Sequence, residues 1–188
     1  MTTKTAIHDR VAEAILDATA DLLAEGGEPP SMSDVAVAAG ISRATLYRYF
    51  STREQLLEAL AAIAIDTTAT GLAQADLDTV PVPEGIARVA RVCAAAGSKY
   101  AAIIGHVQPT GAADQQIGTL LRTLLSRGID DGTFRAGLSV EELLFLLGYL
   151  LQAAAQMAGE GGVEKAAALV TSVFLHGTEN RKDAPAGA

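Results

Sequence analysis

The short stretch from Ser31 to Arg53 holds three helix starts and a glycine turn, and nothing else in the chain constrains its fold as tightly. Ser31-x-x-Asp34 is a capping box: the hydroxyl takes an amide of the first turn and the acid returns to the cap's own amide. Gly40 supplies a residue free to adopt positive φ, as a helix end requires. Ser42 is a natural N-cap, and Thr52 with Gln55 forms a second box. The chain is thus expected to run helical from Ser31 to about Ala39, reverse at Gly40, and run helical again to near Phe50. A fourth helix then starts at Thr52. Helices of two turns do not stand alone in water, so they need a scaffold. Ile7, Val11, Ile15, Ala18 and Leu22 offer one, spaced four, four, three and four as the stripe of an amphipathic helix. Gly26-Gly27 stops that helix and Pro29-Pro30 prevent its resumption.

The remainder reads the same way. The fourth helix extends to about Thr70, and a polar link with prolines, Asp76 to Pro83, follows. Ile86, Val89, Val92, Cys93 and Ala96 form the next stripe, punctuated by Gly97-Ser98 and then Pro109-Thr110-Gly111. Ile117, Leu120, Leu121 and Leu124 mark a helix stopped near Asp131-Gly132. Ser139-x-x-Glu142 is a third capping box and opens a helix from Val140 to about Ala158. Gly159 to Gly162 reads as a turn, and Val163 to about His176 as the last helix. Apolar residues make up 49 % of the chain and aromatics only 4 %, with Ala and Leu dominant, a mix that loses little freedom in helices. The expected fold is all-α. A first domain over 1–52 is expected to precede a larger one over 53–178, with 179–188 a disordered tail.

Catalytic and metal motifs are missing from the sequence. His8, His106 and His176 are far apart, and Cys93 is the one cysteine, so the chain can form no internal disulfide and offers no second thiol for a metal pair. There is no His-Glu-x-x-His and no Gly-x-Ser-x-Gly. Gly159 to Lys165 lacks the spacing of a phosphate loop. Glu141 and Glu142 diverge on a helix and suit its first-turn dipole. An enzyme, a cofactor and a metal are therefore not expected. Met1 to Arg10 is too polar for a secretory signal. The uncharged run Leu143 to Gly159 includes Gln152 and Gln156 and reads as too short and polar for a membrane span. A cytoplasmic protein with no membrane partner is the expectation.

The net charge of −8 argues against nucleic acid when taken alone. Its distribution argues otherwise. Between Ile41 and Arg53 stand Arg43, Arg48 and Arg53 and no acid, whereas Asp9, Glu13, Asp17, Asp21 and Glu25 line the first helix. Ser42, Arg43, Thr45 and Arg48 occupy most of the third helix. Of eight Phe and Tyr residues, Tyr47, Tyr49 and Phe50 fall there too. Two short helices joined by a glycine turn can lay one helix across a DNA backbone and its partner in the major groove. Ala36 is small enough for close approach, and Ile41 and Leu46 fasten the pair to the first helix. The plainer alternative is a helical hairpin inside a core.

The run from Ser33 to Leu57, SDVAVAAGISRATLYRYFSTREQLL, strongly resembles the signature of the TetR family of bacterial repressors. The resemblance covers about the first third of the chain. It implies an all-helical homodimer on double-stranded DNA, with three helices for DNA, a fourth linking to a ligand-binding domain, and the last two long helices at the dimer interface. By position it implies that Ser42, Arg43, Ala44 and Thr45 meet base edges or nearby phosphates, and that Tyr47 and Tyr49 meet phosphates. Arg53 stands where a lysine is more usual and keeps a cation for the backbone. Ser33 departs from the basic residue common there, and Phe50 reads as core. Arg43 suits guanine O6 and N7 and phosphate equally.

Beyond the signature, Leu143, Leu144, Leu146, Leu147, Leu150 and Leu151 cannot all enter one narrow core, so a second partner surface is implied. The expected homodimer face comprises Leu147, Gly148, Leu151, Ala155, Val170 and Phe174. Tyr100, His106, Thr119, Phe145, Tyr149 and Gln152 are the candidates for a pocket taking a small apolar effector, with Tyr149 and Gln152 its best pair. The expected function is an effector-released repressor, with an activator, a ligand-independent regulator or a protein that has lost DNA binding as alternatives.

Overall fold

The computed structural model describes residues 2–26, 30–100 and 111–180, and all their side chains save those of 2–9, 25, 26, 98–100 and 160. Among these residues there are eight helices: α1 (Thr2–Gly26), α2 (Met32–Ala38), α3 (Arg43–Tyr49), α4 (Arg53–Ala73), α5 (Val82–Tyr100), α6 (Ala112–Asp130), α7 (Val140–Gly161) and α8 (Val163–Thr178). No strand is formed among them; one isolated bridge pairs Phe134 with Glu179. The all-α expectation holds. The helices fall into two compact units that divide within α4, after Ile65, and again near the end of α5, after Ser98.

The first unit is built on α1, α2, α3 and α4 as far as Ile65. Its core gathers Ile15, Leu16, Ala20 and Leu23 of α1 with Val35, Ala36, Leu46, Leu56 and Leu60. Val11 and Leu22 pack only at the edge of this core, so the buried line on α1 is rotated from the expected stripe. The reason is Thr19. It is fully buried because its hydroxyl donates to the Ile15 carbonyl at 2.7 Å, so a polar residue holds a core position. Leu56, Leu60 and Ala64 belong to this core, so the first turns of α4 complete the unit beyond residue 52.

In the second unit α7 packs along α8 and against α6. Ile86, Val89, Leu124, Leu125, Leu143, Leu147, Val170 and Phe174 are among its buried residues. Helix α5 runs through Gly97, which the sequence suggested as a break. A Cβ there would lie 2.0 Å from that of Ala155, so the glycine marks a tight helix crossing. Pro83 sits inside the first turn of α5, where its missing N–H costs nothing. Likewise α7 continues through Gly159 and Gly161 and stops at Gly162, with φ +85°. After α8, Arg135 N–H donates to the Thr178 carbonyl at 2.7 Å and Asn180 N–H to that of Thr133 at 3.0 Å. Two guanidinium groups hold the α4–α5 link: Arg88 donates to the Ala75 carbonyl at 2.8 Å, and Arg127 to those of Asp78 and Val80 at 2.8 and 2.7 Å.

By length and composition alone, α4 and residues 140–159 of α7 are long and apolar enough to cross a membrane. Each helix nonetheless commits one face to a protein core, through Leu56 and Leu60 in α4 and through Leu143, Leu147 and Leu151 in α7.

Candidate nucleic-acid interface

Helix α2 begins as its capping box requires. Asp34 N–H donates to Ser31 Oγ at 3.2 Å, and Asp34 Oδ2 accepts from the Ser31 N–H and hydroxyl at 3.2 and 2.6 Å. These hydrogen bonds hold the Asp34 carboxyl below its ordinary value, with a smaller contribution from the charge of Arg43. At the other end, Ile41 N–H reaches the Ala36 carbonyl at 3.0 Å and Gly40 N–H that of Val37 at 3.1 Å. This is the Schellman pattern, and it needs the positive φ of +65° at Gly40. The turn therefore fixes the entry of α3 from α2 within a few residues. Ser42 caps α3 by accepting from Thr45 N–H at 3.1 Å. For α4, Gln55 N–H donates to Thr52 Oγ1 at 3.2 Å, but the Gln55 side chain accepts from Ser51 N–H at 3.1 Å and not from the cap itself. The expected second box thus closes one residue early.

Only Leu46 of α3 is fully buried, and it fastens the helix to the first core. Ser42, Arg43, Ala44, Tyr47 and Arg48 are exposed, while Thr45, Tyr49 and Arg53 are half-buried. Tyr47 and Arg48 sit on the solvent side, and the Arg48 guanidinium lies 5.4 Å from the centre of the Tyr49 ring. Tyr49 and Phe50 both pack against the core. The exposed surface of α3 therefore carries two arginines, two hydroxyl-bearing side chains and no acid, a donor-rich surface suited to phosphate and base acceptors. Two features here escaped the sequence reading. Arg43 Nη2 donates to the Ser33 hydroxyl across the turn. Val37 of α2 is 82 % exposed, on the side away from the core. A contact ten residues apart leaves no local pattern, and an exposed valine looks like any other apolar residue in a helix.

The candidate pocket and dimer residues are distributed otherwise than expected. Phe145 and Tyr149 are 64 % and 62 % exposed and touch each other edge to face, ring centres 4.8 Å apart, so they line no interior cavity. Gln152 is half-buried. Thr119 is exposed, donates to the Gln115 carbonyl at 2.9 Å, and borders an open groove along α6 with Arg122, Ser126 and Arg127. His106 and the side chain of Tyr100 lie outside the described residues. Leu147, Leu151, Ala155, Val170 and Phe174 are buried inside the protomer, at most 7 % exposed, and do not offer a face to a second copy. Gly148 alone of that set is exposed. The physical reason is the phase of α7. Its leucines surround the helix, and packing on α6 and α8 takes the Leu143–Leu147–Leu151 side. Phe145, Leu146, Tyr149 and Met157 of α7, with Leu169 and Val173 of α8, remain exposed.

Two short capped helices joined by a Schellman turn, the second exposing a basic surface, define a helix-turn-helix of the DNA-binding kind. Residues 15–60 match the family described as bacterial regulatory proteins, tetR family. That match covers the helix-turn-helix and the helical residues on either side of it. It is 37 % identical over 82 residues to the HTH-type transcriptional repressor LfrR of Mycolicibacterium smegmatis, a match spanning 44 % of this chain and 43 % of that protein. Among solved structures it is similar to the ketosteroid transcriptional regulator KstR2 of Mycobacterium tuberculosis, with a TM-score of 0.70 and 19 % identity over 90 % of this chain and 95 % of that one. It is also similar to the TetR family regulator PfmR of Thermus thermophilus, with a TM-score of 0.64 and 24 % identity over 88 % and 99 %. At these identities the structures share the fold.

Proposed function

We propose that this chain is a homodimeric, cytoplasmic transcriptional repressor that binds a pseudo-palindromic operator through α3 and is released from it by a small apolar effector. The observation that carries the reading is α3 itself. One buried leucine anchors it while Ser42, Arg43, Ala44, Tyr47 and Arg48 face outward. On this reading those residues, with Thr45, Tyr49 and Arg53, meet the DNA. Repression is supported by the name of the mycolicibacterial relative.

Two-fold symmetry is what a palindromic site demands, since two recognition helices must meet half-sites about 34–36 Å apart. The support for it is the exposed apolar set of α7 and α8, headed by Phe145, Tyr149, Leu169 and Val173, which replaces the buried residues first expected there. Exposed apolar side chains on two helices that pack on each other are what an interaction site presents. Thr119 and Gln152, both of the second unit, remain effector candidates. Selection of duplexes from a random pool by the purified protein tests the reading. Enrichment of one sequence with two inverted half-sites supports it, and enrichment of none refutes it.

A further inference from the structure

We infer that Ser33 is a positioning residue for sequence reading, holding the Arg43 guanidinium so that its free edge is presented to a base; this rests on the DNA-binding reading above. Ser33 lies two residues beyond the cap of α2, and the capping work is done by Ser31 and Asp34. Its hydroxyl is thus left to the neighbouring helix, where it accepts from Arg43 Nη2. Arg43 is the first residue of α3 and is exposed. A side chain this long, left unheld at the surface, scatters over many rotamers, and ordering it on binding costs entropy.

The chemistry of the fork permits both contacts at once. A guanidinium carries five N–H donors in a plane, and Ser33 engages one. The second hydrogen of Nη2, with that of Nε or Nη1, still makes the paired donors that guanine O6 and N7 accept. Asp34 does not compete fully for the cation, because its Oδ2 is already taken by Ser31. Ser33 thereby restricts Arg43 while leaving its reading edge open, the condition for a preorganised contact. The departure from a basic residue at position 33 then has a purpose: a hydroxyl accepts from Arg43, whereas a cation there repels it.

The test uses wild type, Ser33→Ala, Ser33→Thr, Arg43→Ala and the Ser33→Ala/Arg43→Ala pair, on the duplex enriched by wild type and on each of its single-base variants. Ser33→Ala is expected to lower discrimination about threefold to tenfold, the worth of one exposed hydrogen bond, at the same base pair where Arg43→Ala lowers it. It leaves affinity for random duplex and the salt slope unchanged. Ser33→Thr restores discrimination, and Ser33→Ala adds nothing once Arg43 is gone. In the free protein, NMR relaxation of the Arg43 Nε–H is expected to show greater motion in Ser33→Ala than in wild type. Equal effects of Ser33→Ala with and without Arg43, undiminished discrimination in Arg43→Ala, or unchanged Nε–H motion would each overturn the inference. If wild type enriches no duplex, the DNA reading fails, and the relaxation comparison still decides whether Ser33 restrains Arg43.

Discussion

Two glutamates placed two residues apart on α7 are expected to have opposite consequences. Tyr149→Glu changes a side chain that is 62 % exposed in the protomer, and Leu147→Glu one that is fully buried. An aromatic side chain presents about 150–250 Å², so roughly 100–150 Å² of Tyr149 is free to be covered by a second copy. At about 25 cal/mol per Å² that is about 3 kcal/mol per ring, and a two-fold axis repeats it in the partner. Even after discounting for imperfect burial, Tyr149→Glu should weaken dimerisation by at least about a hundredfold, more than a 2.7 kcal/mol loss. Its protomer should keep helix content and melting behaviour, since the new carboxylate stays in water. Leu147→Glu instead places a carboxylate among Leu143, Leu125 and Phe174 of the core, and should cost several kcal/mol of folding stability. Sedimentation velocity at micromolar protein and circular-dichroism melts separate the two. A Tyr149→Glu protein that stays dimeric at low micromolar concentration, or melts as early as Leu147→Glu, would refute the assignment of the two faces.

Gly97→Ala should lower the melting temperature by several degrees, because the new carbon meets both Cβ and Cα of Ala155 and overpacking by about 1–3 kcal/mol outweighs a helix gain of about 1 kcal/mol. Gly148→Ala, with nothing within 4 Å of its Cβ, should leave the protomer as stable or slightly more so in the same melt. Ser139→Ala should keep the backbone hydrogen bond that does most to lower the Glu142 carboxyl below its ordinary 4.5 and remove the smaller, side-chain one. A carboxyl depressed in the folded state stabilises above that value and loses the contribution as pH falls through its folded value, so the mutant's deficit in melting temperature should be present at pH 6 and shrink below pH 4.5. Arg53→Ala should weaken binding to all duplexes alike and reduce the salt slope by about one unit, as measured by anisotropy titrations at several salt concentrations.

The sequence by itself determined where helices begin and turn, and through them the resemblance of residues 33–57 to the TetR signature. Caps and turns are local chemistry: Ser31 with Asp34, the left-handed Gly40, and Ser139 with Glu142 each act within a few residues, so their signals survive without tertiary context. The same holds for the arginines of α3 and for Ser42 and Tyr47, which are exposed around its single buried residue, Leu46. Only the tertiary structure decided the rest. An α7 that is apolar all round has no phase in its pattern, and packing against α6 and α8 chose Leu143, Leu147 and Leu151 for the inside and left Phe145 and Tyr149 outside. Gly97 reads as a helix break until Ala155 is seen beside it, and Thr19 lies off the expected apolar stripe until its hydroxyl is seen bonded to Ile15. The link from Ser33 to Arg43 exists because a turn folds α3 back against α2. Each of these depends on which surface another helix covers, and that is a property of the packed chain.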